Sequence, residues 1–273
     1  HKNLFQYNTG GSGGIAYIND GYANIHNNIF NKNINRYGSL YSNQNKMNLY
    51  DNIFKENTGQ KGGDLYIENS EIYSYKNTYI SSKSTDIGGS SFIEKGGKLS
   101  SIGDIYNNTN SLTRGGAIVV YDSGSNLIID NSSFINSQST AGGCIYLNKG
   151  NAYIYNSSFS NNYGSSGGVI YSEGSTTYMN NNNFVKNKAI LSGGVLYASI
   201  NSIIHTNNTY FSDNIVQRDG GVIYLSLSST WNCYNCDIIN NRATSQGGVA
   251  LLANGNIQIE NSKINNNYAL SGS

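Results

Sequence analysis

Few side chains in this sequence could do chemistry by themselves. Its 273 residues hold 16 acidic and 17 basic side chains, three histidines and three cysteines. Acid–base or lyase chemistry on a polysaccharide needs clustered carboxylates with an Arg, Lys or His beside them. Here the ten Asp residues are scattered. The nearest approach to a catalytic pair is Arg218-Asp219, which as an adjacent pair on a bend reads as a solvated turn. His1, His26 and His205 have no matching Ser and Asp arrangement. Cys233-x-x-Cys236 is one pair without the second that a zinc site requires. Cys233 aligns with inward-facing residues and Cys236 with a bend, so the two read as a buried small hydrophobe and a corner residue rather than a disulfide or redox couple. The expectation is a protein that is not an enzyme and uses neither metal nor cofactor.

Recognition chemistry is better represented. Tyr17, Tyr41, Tyr66, Tyr146, Tyr171, Tyr197 and Tyr224 recur at one position of a repeat, with Phe92, Val119 and Leu251 as substitutes. Stacked tyrosines suit a β surface and brace one another through ring packing. As a continuous exposed stripe they would also form a sugar-stacking or protein-docking face. On that reading, replacing Tyr171, Tyr197 and Tyr224 together by Ser weakens a partner or glycan contact and leaves the fold intact. Four N-x-S/T sequons begin at Asn107, Asn131, Asn156 and Asn207. The repeat places Asn131 and Asn156 in an inward ladder, leaving Asn107 and Asn207 as the candidate glycosylation sites.

These residues are positioned by a glycine-marked period. Gly-Gly-Val-Ile-Tyr at Gly167–Tyr171 returns at Gly220–Tyr224, and glycine pairs recur at Gly13, Gly62, Gly88, Gly115, Gly142, Gly193 and Gly247, with a degenerate copy at Tyr37-Gly38. The step is 24 to 27 residues, repeated about ten times from end to end. A period in this range marks a solenoid, whose units bury apolar faces only against their neighbours. After each glycine pair two aliphatic columns alternate with other residues, as Ile118 and Val120 do, and the residues between them, Asp64 and Ser90 among these, read as outward. A second strand carries inward pairs such as Leu127 and Ile129 and ends on the column Asn27, Asn131, Asn156, Asn181, Asn208, Asn235 and Asn261. Three residues on comes an aromatic column, Phe30, Phe54, Tyr79, Phe134, Phe159, Phe184 and Phe211. Three further stands a second polar column, Asn33, Asn57, Asn162, Asn187, Asn214, Asn241 and Asn267. Three short strands per period, no helical periodicity and polar corners specify a parallel β-helix of about ten coils, taken as right-handed because strand crossovers are. At one strand spacing per coil it makes a rod about 45 to 50 Å long.

The two motifs in alternation, as in Phe159-x-x-Asn162 with Gly167-Gly168-Val169-Ile170 and Phe184-x-x-Asn187 with Gly193-Gly194-Val195-Leu196, resemble the repeats of the chlamydial polymorphic membrane proteins and similar adhesin passenger domains, within the pectin-lyase-like right-handed β-helices. The resemblance covers nearly the whole chain. It implies surface display, adhesion or structural spacing at the cell exterior. The chain departs from the pattern in carrying no β-barrel translocator and in placing a tyrosine after the glycine motif.

Composition narrows the rest. Balanced charge gives no electrostatic footprint for nucleic acid or anionic membrane, and no apolar run approaches a membrane span. The 46 Asn residues, with Tyr, Ile, Lys and Ser, give the bias of an AT-rich genome, as in a ciliate or other protist or a bacterium. Residues 1–273 read as one repeat domain, a segment of a longer chain, extracellular or on the cell surface. The expected partners are other copies of itself, in end-to-end or lateral assembly, and glycans.

Overall fold

The structure, a computed structural model, describes residues 2–272. It is an all-β, right-handed parallel solenoid of about ten coils, with no helix among the described residues. Three parallel sheets run its length, of 11, 16 and 10 strands. The broad 16-stranded sheet takes the segment after the glycine pair and the second strand of each coil. Near the ends these fuse into single long strands, Ala16–His26, Leu40–Tyr50, Ile223–Tyr234 and Ala250–Glu260. The 11-stranded sheet carries the aromatic column, and the 10-stranded sheet precedes the glycines.

The core follows from period-two alternation stacked coil on coil. Ile118 lies over Ile145 and Ile170, Leu127 over Ala152, and Ile129 over Ile154, all fully buried. The aromatic column forms one continuous stack from Phe5 through Phe30, Phe54, Tyr79, Tyr106, Phe134, Phe159, Phe184 and Phe211, with centroids 4.4–5.2 Å apart. That distance is the coil spacing itself, so identical rings meet face to face as the fold repeats.

Corners set the polar ladders. Asn187 is typical of the second polar column: its Oδ1 accepts from the Asn162 backbone N–H at 3.0 Å, while its Nδ2 donates to Phe159 O and Asn214 Oδ1, each at 3.0 Å. Each rung thus satisfies backbone groups that a turning chain cannot pair within its sheets.

The first ladder lies one residue later than the sequence suggests. Asn27, Asn131, Asn156, Asn181, Asn208, Asn235 and Asn261 all have φ near +50° and turn the chain. Asp51, Lys76 and Gly103 take the same conformation, and the residues after these corners, including Asn28, Asn52, Asn77, Asp104, Ser132, Ser157 and Asn182, are the buried rungs. Asparagine tolerates the left-handed conformation as well as it fills a rung, so the two positions share a residue type.

A second correction concerns the residue after each glycine pair. Gly167 has φ +64°, and Val169 beyond it is fully buried, as are Asp64, Ser90, Ala117, Cys144, Val195 and Val222 of the same column. Strict alternation fails through a positive-φ corner, so Asp64, expected outside, is inside. The coils between Thr85 and Asn110, irregular in sequence, carry a bulge between Ser84 and Ile87 and otherwise keep register: Gly103 supplies the left-handed corner and Asp104 the rung.

Candidate functional site

The tyrosine column after the glycines points outward but is not an open stripe. Tyr17 is 53% exposed, whereas Tyr41, Tyr66 and Tyr146 are 8%, 5% and 2% exposed, and Tyr171, Tyr197 and Tyr224 are half-buried. The cover is a column on the 10-stranded sheet that runs Tyr37, Lys61, Ile87, Arg114, Ala141, Ser166, Ser192 and Asp219 in register. Its large members lie over the first coils. The Tyr37 ring is 5.0 Å from that of Tyr66, Lys61 Nζ sits 4.9 Å over Phe92, and Arg114 sits 5.0 Å over Tyr146. The Tyr41 hydroxyl donates to Glu68, that of Tyr66 to Glu94, and that of Tyr146 to Glu173 at 2.6 Å. Desolvation, with the neighbouring carboxylate behind it, pushes all three phenols up. Over Tyr171 and Tyr197 the cover shrinks to serine. Those rings stack on each other and on Tyr224 at 4.5 and 5.2 Å, so their faces are already used.

The open aromatic surface lies on the same sheet, one strand further along each coil. Tyr153, Tyr178 and His205 occupy one outward column, stacked at 5.4 and 4.9 Å with planes within 7°. Two residues on, a parallel column reads Tyr155, Asn180, Asn207, Tyr234 and Glu260. Between them runs a groove of about 560 Å³. Its floor is the backbone of Met179, Thr206 and Cys233, whose side chains are buried. No Lys or Arg lines it; His205 and Glu260 are its titratable groups besides tyrosine. Asn232 Nδ2 lies 3.4 Å from His205 Nδ1, and the Asn207 side-chain oxygen is buried without a hydrogen-bond partner.

Beneath the groove Cys233 and Cys236 form a disulfide, with Cα atoms 6.1 Å apart. This corrects the reading of two independent thiols. The bend residue is Asn235, φ +51°, so Cys236 is a rung that turns inward toward Cys233. Cys144 is free and buried, its thiol pushed up by desolvation.

The remaining expected residues fall apart from one another. Arg218 and Asp219 make a 3.8 Å ion pair with an exposed guanidinium, as a turn would. His26 stacks on Tyr50 at 4.6 Å, and His1 lies outside the described residues. Among the sequons the order is reversed. Asn131 and Asn156 are exposed, because they are corner residues, while Asn107 and Asn207 are half-buried. The groove itself had a signal in the sequence: Tyr153 and Tyr178 sit between the inward residues of the second strand, where period two already sends them outward.

The fold and groove together define a β-solenoid with an aromatic–amide cleft on its broadest sheet, lined by no Lys or Arg. Compared with known proteins, the chain matches no family model, no curated protein and no solved structure.

Proposed function

We infer that this chain is a non-enzymatic, adhesin-like scaffold of the cell exterior, a stiff rod that presents the Tyr153–Tyr178–His205 groove to a surface partner. The groove carries this reading: it gathers aromatic and amide groups in a concave site on the outer face of the broad sheet, as recognition sites do. The Cys233–Cys236 disulfide supports an exterior location, since such bonds persist in oxidising compartments. The alternation of Phe-x-x-Asn with the glycine motif supports an adhesin-like role and a pectin-lyase-like variety of β-helix, in a bacterial or protist setting. Continuous coil-to-coil hydrogen bonding suits a spacer that resists bending. The test is an array of neutral glycans, acidic glycans and immobilised matrix proteins, probed with the labelled chain and with a Tyr153→Ser/Tyr178→Ser variant. Binding by the chain that the variant loses is the expected result. Equal binding by the two, or none by either, would remove the reading.

A further inference from the structure

We propose that the groove takes two consecutive sugar units of a neutral, extended glycan, lying along the solenoid axis over Asn180 and Asn207. This rests on the recognition reading above and names its ligand. Tyr155 and Tyr234 occupy the same outward column three coils apart, about 14 Å at the ordinary strand spacing. The two rungs between them carry amides instead of rings. Neither tyrosine has a ring neighbour within its own column: Asp130 and Asn180 flank Tyr155, while Asn207 and Glu260 flank Tyr234. Tyr178, by contrast, has both faces covered by Tyr153 and His205 and offers the groove only its edge and hydroxyl.

Three properties select the ligand. With no Lys or Arg in the lining and Glu260 at one end, the site has no counter-charge for phosphate, sulfate or uronate. The strands bearing Met179, Thr206 and Cys233 are paired on both sides, so a peptide lying in the groove over them cannot add itself as a further strand and would forgo main-chain recognition. What remains is amide, hydroxyl and imidazole chemistry, from Asn180, Asn207, Asn232, His205 and the tyrosine hydroxyls of the lining. Such groups pair with sugar hydroxyls, and the Tyr155 and Tyr234 rings meet the apolar C–H faces of the same sugars. One sugar of an extended glycan advances by nearly one coil, which sets one ring against each asparagine.

Isothermal titration with cellohexaose, chitohexaose and mannohexaose, and with hexagalacturonate and a heparin hexasaccharide, tests this. At least one neutral oligomer binds with one site per chain, and the acidic ones bind at least about tenfold more weakly. Asn180→Ala/Asn207→Ala lowers affinity about tenfold or more, the equivalent of one or two hydrogen bonds. Tyr234→Phe keeps binding and Tyr234→Ser weakens it, which separates a ring contact from a folding defect. Neutral oligomers that all fail, acidic ones that bind as well, or an asparagine double variant that binds normally would each overturn the proposal. Groove-dependent array binding confined to proteins or acidic glycans would overturn it and leave the recognition reading standing. Array binding indifferent to Tyr153→Ser/Tyr178→Ser would overturn both.

Discussion

The first and last halves of this solenoid share a fold and differ in what lies on and under their broad sheet. In the first half, Tyr37, Lys61, Ile87 and Arg114 close over Tyr41, Tyr66, Phe92 and Tyr146, while Asp64 and Asp104 are buried within. In the second half the cover falls to Ser166 and Ser192, the column after the glycine pair turns to Val169, Val195 and Val222, and the adjacent strand opens into a groove. An outward tyrosine is therefore structural or available according to the size of the side chain one sheet away.

The largest expected difference between the halves is in their response to pH. Asp64 is fully buried; its Oδ1 accepts from Asn57 Nδ2 at 2.8 Å and its Oδ2 has no partner. Desolvation raises it to about 7, and raises Asp104 to about 6 despite hydrogen bonds from Ser101 and the Asn77 backbone. Both acids hold their proton more tightly folded than unfolded, so the folded state binds more protons between about pH 4 and 7. Stability is greatest below pH 4 as far as these groups are concerned and is lost as pH rises through that window. For Asp64 the loss is on the order of 4 kcal/mol. Thermal melts from pH 4 to 8 should show this fall, and Asp64→Ser, which copies Ser90 of the next coil, should flatten it. An unchanged slope in that variant would place the effect elsewhere.

Next in size is the contrast between two tyrosines. Tyr66→Ala removes a buried ring and its hydrogen bond to Glu94, costing about 3 kcal/mol, whereas Tyr178→Ala, 41% exposed, costs about 1 kcal/mol through its two stacked neighbours. Urea denaturation of both variants measures the gap. Similar values would mean that the two faces are equally open. Smaller still is the cover itself. Arg114→Ala should cost about 1 kcal/mol through the lost cation–π contact and make Tyr146 more reactive toward tetranitromethane than in the wild type, where the ring is buried.

The repeat, its strands, the aromatic stack and the Asn162–Asn267 ladder were legible in sequence because each is a stacked column with one physical requirement. Misreadings arose at left-handed corners. There Asn156 and Ser157 exchange expected roles and Asp64 and Val169 point inward, since alternation holds only along extended backbone. The accessibility of Tyr41, Tyr66 and Tyr146 was not legible, because it depends on Tyr37, Ile87 and Arg114, which reach their neighbours only through the third sheet. The groove needs two adjacent columns to lose and keep rings on particular coils, a pattern visible only once register is known.

The most direct test sets the two tyrosine surfaces against each other on the glycan and matrix-protein array. Tyr153→Ser/Tyr178→Ser and Tyr171→Ser/Tyr197→Ser/Tyr224→Ser are compared with wild type, each shown by circular dichroism to keep its β-sheet signal. Loss of binding in the first variant and retention in the second is the predicted outcome. Retention in the first with loss in the second would contradict it and return the binding surface to the column beside the glycines.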